Sequence, residues 1–531
     1  MGWKLAARIA PLAAVAALAG CASLKWEANP ALLPQGLPRG TPYTMAAVPD
    51  ATGDAYLILF AFSGGGKRSA SFGYGALMGA HETAMPAGSN LADQIDVVSG
   101  VSGGSFTASA FAEYHDALFD GRLVDPLGVE HPPYKEFLAS DTNAAIFSIY
   151  LEPWRWQWLV SPDIGTNDEM ARTYGHDLLG ETTYGDLARR GRPYLIVQAT
   201  DLDAQQPFTF TQTDFDLICS DLSSVKVARA VAASNGFPVL FSPIALQMYS
   251  YSKSPANTSQ AASTNGPCPA LSWEHPDTPY PPFSREAQLV TRSGLYAPAG
   301  MSADKPSFVH LADGGLSDNL ALRGPMSIWM RLKMQIPENC APAMPSGADA
   351  DTCGKVEALR LRKIKHILVV SVDGEAEPDR SEGLNAPILS GLTRIGGSVL
   401  NSVIDSANLS TLPMAADTTT DIRNAIWRLR CSSSSPPAGD PKACAVPKDG
   451  GPPYVVFAHV SLSDWAKQAP GREDVANSPT GLSLRNGDAE KLIEAGREAL
   501  KSNPDINCFL RNVGETPGGP VSAYCPTTVA N

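Results

Sequence analysis

The sequence predicts an α/β fold, a doubly wound and mostly parallel sheet flanked by helices, with long loop insertions. Three observations predict it. Apolar runs of strand length alternate with helix-like segments from Ala55 onward. The first two of those runs each end in small residues that open a helix. Strand, loop, helix, strand and helix all fit between Ala55 and Leu118, an arrangement that calls for parallel strands and right-handed crossovers.

Taken in order, Ala55–Phe62 is an unbroken apolar run and reads as a buried strand. It stops at Ser63-Gly64-Gly65-Gly66-Lys67-Arg68. Ser69–Thr83 is helix-like, with small residues that permit close packing. Ile95–Val98 is a second short strand and Gly103–Leu118 a second helix. Residues 130–190 read as mostly helical and hold Trp154, Trp156 and Trp158, which fit either ordinary packing or a flap at a lipid interface. Pro193–Thr200 is strand-like, and Gln206–Gln212 alternates like an edge strand. Val225–Ala233 reads as a helix ending at Ser234-Asn235-Gly236-Phe237-Pro238. Residues 250–306 are rich in Ser, Pro, Gly and Asn without a period, and read as a surface excursion. Phe308–Ala312 and His366–Val372 are strands, the latter approached by the basic run Lys355–Lys365. Residues 410–452 read as loop, on SSSSPP and DGGPP. Tyr454–Val460 is a strand and Asp488–Ser502 an amphipathic helix. There is no internal repeat. One folded domain, 55–531, is expected, with a motif core at 55–330 and a C-terminal extension at 331–531.

The first twenty residues read as a signal peptide rather than as fold. Lys4 and Arg8 precede an apolar run, Ile9–Leu18, too short to span a bilayer. The run ends in Leu18-Ala19-Gly20-Cys21, which resembles the lipobox of bacterial lipoproteins. That resemblance implies cleavage before Cys21 and acyl chains on it, since stable anchoring takes more than one chain. A plain signal peptide with a chance cysteine is the other reading. Ala22 after the cysteine resembles the outer-membrane sorting pattern, so the expected location is the bacterial envelope, outer membrane, facing the periplasm or the cell surface. Residues 21–54 then form a proline-rich tether.

Net charge is −13, with 44% hydrophobic and 18% charged residues. The acidic balance argues against nucleic acid as a partner and against docking on anionic lipid by charge alone. Of nine cysteines, Cys21 is assigned to the anchor, leaving eight. No C-x-x-C pair occurs, so no metal site is expected. An even remainder in an exported chain suggests disulfides. Neighbour pairing is the simplest expectation: Cys219 with Cys268, Cys340 with Cys353, Cys431 with Cys444 and Cys508 with Cys525. Closing the three short loops, 340–353, 431–444 and 508–525, is worth roughly 3 kcal/mol each in the chain-entropy model.

Two glycine clusters carry the chemistry. Gly100-Val101-Ser102-Gly103-Gly104 fits the elbow G-x-S-x-G, in which a strained strand-to-helix turn projects a serine hydroxyl. The helix after it turns its positive end towards the site. Gly64-Gly65-Gly66-Lys67-Arg68 also opens a helix, so its backbone N–H groups are free to face a ligand. Donors beside a nucleophile are what acyl transfer needs. A phosphate loop is the rival reading, but G-x-x-x-x-G-K-[ST] is absent. None of the eight histidines sits in a motif that marks a base. Leu311-Ala312-Asp313-Gly314-Gly315 instead ends a strand with a carboxylate, which partial burial would make a stronger base.

GGGKR, GVSGG, ATDLDAQQPFTFT, ARAVAASNGFPVLFSP and ADGGLSDN follow the order seen in the patatin-like phospholipases, and the chain resembles that family over roughly residues 55–330. The resemblance implies a Ser–Asp dyad in place of a triad. Ser102 becomes the nucleophile and Asp313 the general base. Gly64, Gly65 and Gly66 become the oxyanion loop, supported by Lys67, Arg68 and Gly103, and Gly100 and Gly104 shape the elbow. Two positions depart from the family pattern: Ser63 stands where Asp is frequent, and Ser69 where Gly is frequent. The expected function is a lipid acyl hydrolase without metal or organic cofactor, acting on a membrane lipid or lipid ester. Two rival readings fit the same residues: a hydrolase with a histidine base such as His459, and a catalytically silent envelope lipoprotein that binds lipid or protein.

Overall fold

The computed structural model describes residues 28–32, 40–48, 55–152, 164–238, 240–249, 287–289, 308–335, 359–375, 392–431 and 452–514, with 291, 296, 354 and 356. The expected signal peptide and Cys21, the three tryptophans at 154, 156 and 158, most of the 250–306 excursion, and Cys268, Cys340, Cys353, Cys444 and Cys525 lie outside the described residues.

Eight strands form the central sheet: β1 (Tyr56–Phe62), β2 (Val97–Val101), β3 (Tyr194–Asp201), β4 (Gln206–Thr209), β5 (Ile244–Gln247), β6 (Phe308–Ala312), β7 (His366–Asp373) and β8 (Tyr454–Ser461). The order is β8-β7-β1-β2-β3-β6-β5, with β4 on β3. From β8 to β3 every pairing is parallel. β4, β6 and β5 add an antiparallel margin. The principal helices are α1 (Gly66–His81), α2 (Gly103–Tyr114), α3 (Thr166–Tyr174), α4 (Val227–Ser234), α5 (Arg323–Gln335), α6 (Leu392–Cys431) and α7 (Asp488–Ser502).

Helices cover both faces, which is what a parallel sheet requires, because its strands bury both sides. The period of two in β1 assigns the faces. Ile58, Phe60 and Phe62 join the core under α1, α2, α4 and α7. Ala61 points the other way, into a second core with Val101, Ile367, Trp329, Ala415 and Ile426, roofed by α5 and α6.

The C-terminal extension is therefore part of the same sheet. β7 pairs with β1 from Tyr56↔His366 to Phe62↔Val372, so a segment far along the chain completes the centre. α7 lies against α1 at a close approach. A Cβ on Gly75 would stand 1.9 Å from the Ile493 carbonyl oxygen, and one on Gly496 2.0 Å from that of Phe72.

The structure corrects several boundaries. Residues 410–431 are not loop: they are the second half of α6, a helix of 40 residues with Pro413 inside it. Thr411, Ala415, Thr418, Thr419, Ala425, Ile426 and Leu429 are buried along it. The threonine hydroxyls donate to carbonyls one turn back, Thr419 to Ala415 at 2.7 Å and Thr418 to Met414 at 2.8 Å, so threonine packs as an apolar residue. The alternating Gln206–Gln212 stretch is strand only to Thr209, after which Gln212–Leu217 is helical. The Asp214 carboxylate takes the Thr209 N–H at 2.6 Å and ends the ladder there. α2 stops at Tyr114 because His115 adopts φ 49°.

The α1–α7 contact yields a test. Gly75→Ala and Gly496→Ala should each destabilise the protein by about 1–3 kcal/mol through overpacking. Urea unfolding checks this, and because both changes strain one contact, the double mutant should lose less than the sum.

Candidate active site

The site lies where β1, β2 and β6 end together. β2 finishes at Val101, and Ser102 carries the chain into α2 with φ 47° and ψ −126°. A non-glycine residue rarely adopts that backbone, so the surroundings must hold it. They do so through its own N–H, which donates to Ser234 Oγ at 2.8 Å. Ser234 in turn donates to the Gln198 carbonyl at 2.5 Å. Sequence reasoning did not assign Ser234 a role, although it lies inside the quoted ARAVAASNGFP stretch.

The hydroxyl side of Ser102 faces β6. Ser102 Oγ donates to Asp313 Oδ2 at 2.8 Å. Asp313 is held in turn: its Oδ1 accepts the Gly315 N–H at 2.8 Å, and its own N–H donates to the Gly236 carbonyl at 2.9 Å. Burial lifts the Asp313 carboxyl from 3.8 to about 6, against the lowering effect of the Gly315 and Ser102 hydrogen bonds. Tyr174 is buried near this carboxyl, its hydroxyl without a hydrogen-bond partner among the described residues.

The glycine loop after β1 packs against the elbow. A Cβ on Gly103 would meet the Gly66 carbonyl oxygen at 2.0 Å, and one on Gly104 the Phe62 oxygen at 2.3 Å, so any side chain there would part the two turns. Gly65 and Gly66 have φ of 128° and 61°, which glycine alone adopts without strain. A Cβ on Gly100 would collide with the first turn of α2. The N–H groups of Gly65, Gly66 and Gly103 have no acceptor among the described residues. Gly64 differs from its expected role: its N–H donates to the Asn319 carbonyl at 2.8 Å and is not available to an anion.

Lys67 and Arg68 turn away from the serine. Lys67 Nζ donates to the Phe137 and Ser140 carbonyls, each at 2.7 Å, and to Ser140 Oγ at 2.8 Å. Burial lowers its pKa to about 8, against the raising effect of Asp141 and Asp177. Arg68 Nε donates to the Gly374 carbonyl at 2.9 Å and Nη1 to that of Ser478 at 3.0 Å. Both cations hold the loop by ordering its neighbours. Ser63 and Ser69, the two departures from the family pattern, bond to each other, with Ser69 Oγ 2.6 Å from the Ser63 carbonyl. Gly481, which accepts the Lys67 N–H at 2.8 Å, had no signal in the sequence.

His459 stands apart. It lies on β8, three strands from β2, or roughly 14 Å at the usual strand spacing. Its nearest carboxylate is Asp373, at 3.8 Å.

A family model for the patatin-like phospholipases matches residues 60–325, half of the chain. The chain belongs to the patatin-like phospholipase family. Its family name sets it among lipid acyl hydrolases. Solved structures similar to this patatin-like chain include human GIVD cytosolic phospholipase A2, at 11% identity and a TM-score of 0.38, covering 86% of this chain and 62% of that one. The same human protein in complex with methyl γ-linolenyl fluorophosphonate gives 11% identity and a TM-score of 0.35, covering 86% and 59%. The chain thus spans about three-fifths of the length of these structures. No curated protein sequence matches it.

Lys67→Met should destabilise the protein by about 1–3 kcal/mol, because the Phe137 and Ser140 carbonyls lose their buried donor. Chemical denaturation reads this directly.

Proposed function

We propose that this patatin-like protein is a serine acyl-ester hydrolase that uses a Ser102–Asp313 dyad. The hydrogen bond of 2.8 Å from Ser102 Oγ to Asp313 Oδ2 carries the reading. Asp313 takes the hydroxyl proton as Oγ attacks the ester carbonyl carbon. The carbonyl oxygen becomes an oxyanion, met by the N–H groups of Gly65, Gly66 and Gly103 at the positive end of α2. Collapse breaks the bond to the leaving alcohol, which collects the proton from Asp313. Water then attacks the acyl-enzyme with Asp313 again as base, releasing the fatty acid and regenerating Ser102.

The base role has a definite pH sign. Asp313 works deprotonated, and burial holds its pKa near 6. The kcat/KM of a soluble ester should therefore fall as pH drops through about 6 and level off above it. Ser102→Ala and Asp313→Asn should each remove turnover by roughly 10²–10³ or more while the protein stays folded. Substantial turnover by either variant refutes the dyad.

The second part of the proposal is envelope anchoring through lipidated Cys21. It is supported by the lipobox pattern and by how soon the chain then attaches to the domain. Asn29 Nδ2 donates to Ser220 Oγ at 2.7 Å and Leu32 N–H to the Cys219 carbonyl at 3.0 Å. Fully extended, the chain from Cys21 to Asn29 reaches roughly 26–29 Å, so the domain would ride close to the bilayer. Cys21→Ser should move the protein from the membrane fraction to the soluble fraction and abolish fatty-acid labelling. Unchanged fractionation overturns the anchor. Disulfides within the chain belong to the same reading of an exported protein, supported by the even number of cysteines after Cys21.

A further inference from the structure

One buried group beside the dyad has no part in the acylation or hydrolysis steps. Tyr174 ends α3, is 1% exposed, and its hydroxyl has no hydrogen-bond partner among the described residues. A buried hydroxyl without a partner is uncommon, because its lost contacts with water are not replaced. Two contacts of α3 place it. Asn167 Nδ2 donates to the Ala232 carbonyl at 2.8 Å and lies against Gly236, where a Cβ would stand 2.6 Å from it. The Gly236 carbonyl is the acceptor that holds the Asp313 N–H. Tyr174 is seven residues further along, two turns on and on the same face. Its ring stands edge-on to Phe106, at 4.9 Å and 86°, and Phe106 lies one turn beyond Ser102 in α2. α3 thus reaches from the turn behind Asp313 to the helix behind Ser102. Burial and the charge of Asp313 hold the Tyr174 phenol above its ordinary pKa, so the hydroxyl keeps its proton beside the carboxyl.

Asp313 changes partners during the proposed reaction. In the free protein its Oδ2 accepts from Ser102 Oγ and its Oδ1 from the Gly315 N–H, each at 2.8 Å. No cation pairs with it among the described residues, and the remaining titratable group that faces it is Tyr174, from α3. In the acyl-enzyme Ser102 Oγ is esterified and carries no proton. The leaving alcohol has taken the proton that Asp313 had accepted. The carboxylate is then ionised, buried and one donor short, at the step that needs it as a base. A buried carboxylate that loses a donor binds a proton more readily and stops acting as a base. A carboxylate has lone pairs for a further donor, and the Tyr174 hydroxyl has nothing else to bond.

We propose that Tyr174 is a positioning residue for deacylation, its hydroxyl donating to the Asp313 oxygen that Ser102 vacates and keeping that carboxylate ionised for the attacking water. The proposal rests on the acyl-hydrolase reading of Ser102 and concerns the second half of that reaction. No covalent bond to Tyr174 forms or breaks. Asp313 takes one proton from the water as its oxygen bonds to the acyl carbon. Ser102 Oγ then leaves that carbon and collects the proton from Asp313, and the fatty acid departs. The phenol keeps its own proton throughout.

Stopped-flow hydrolysis of p-nitrophenyl butyrate by the full protein separates the two halves. Tyr174→Phe should slow deacylation roughly tenfold or more, the size of one hydrogen bond to a charged group, and slow the nitrophenol burst much less. The acyl adduct on Ser102 should accumulate in intact-mass spectra. The acid limb of deacylation should move up by about one pH unit. The acid limb of kcat/KM should stay near about 6, because it reports the free protein, where Ser102 still supplies the donor. Deacylation by Tyr174→Phe at the wild-type rate, with a loss only in Tyr174→Leu, would make Tyr174 a packing residue of Phe106 and overturn the proposal. A second arm does not depend on catalysis. Ser102→Ala leaves Asp313 without the serine donor, as acylation does. At about pH 8, Tyr174→Phe should lower stability to urea more in Ser102→Ala than in wild type, and at about pH 5, with Asp313 protonated, the difference should shrink. Equal effects in the two backgrounds at the higher pH would overturn the proposal. If wild type hydrolyses no ester while this coupling persists, the acyl-hydrolase reading fails and the bond from Tyr174 to Asp313 stands.

Discussion

The backbone of Ser102 has to be held in a conformation it would not choose, and the architecture around the site follows from that constraint. At φ 47° the residue projects its hydroxyl out of the strand-to-helix turn instead of into the core. Such strain persists only where neighbours over-determine it. Ser234 supplies the acceptor for its N–H, and Ser234 is itself bonded to the Gln198 carbonyl on β3. Ser105 Oγ donates to the Ser102 carbonyl at 2.6 Å and accepts from Asn235 Nδ2 at 3.0 Å. The end of α4 thus clamps the elbow from both sides. The ASN triplet at 233–235 has a geometric job that no composition argument would reveal.

The second dependence is on close backbone approach. Gly66 and Gly103 meet without side chains, so the turn after β1 and the turn after β2 touch. Only then can free N–H groups from both turns converge beside one hydroxyl. The C-terminal extension keeps that contact in place. Arg68 ties the loop to Gly374 at the end of β7, and Asn319 ties Gly64 to the turn after Asp313. Glu375 Oε2 accepts from Asn319 Nδ2 at 3.3 Å and from Asn408 Nδ2 at 2.5 Å, which links α6 to the same loop. The part of the chain beyond the matched family region is thereby built into the site's support.

The βα units were legible because each is an apolar run followed by glycines, and both signals are local. The helix α7 was legible for the same reason, as a strong amphipathic period. What could not be read is set by partners distant in sequence. Nothing local in His366–Asp373 says that it inserts beside β1. α6 hid because its buried stripe is built from alanine and threonine and carries Pro413, so its period is weak in any hydrophobicity count. The adjacency of Ser102 and Asp313 depends on β6 running antiparallel beside β3, an orientation nothing in the sequence specified; the sequence offered a carboxylate at a strand end, and the family resemblance paired it with the serine. Gly64 shows the limit of motif transfer: three glycines stand in a row, but one N–H is already taken by a backbone carbonyl.

In the proposed chemistry Asp313 activates Ser102 directly, with no histidine between them. Peptide mapping by mass spectrometry after reaction with an alkyl fluorophosphonate tests it most directly, because the reagent reports the nucleophile without needing the natural substrate. One adduct is expected, on the peptide carrying Ser102, formed far more slowly in Asp313→Asn at the same pH. Labelling of a different residue, or labelling of Ser102 at an equal rate in Asp313→Asn, would contradict it.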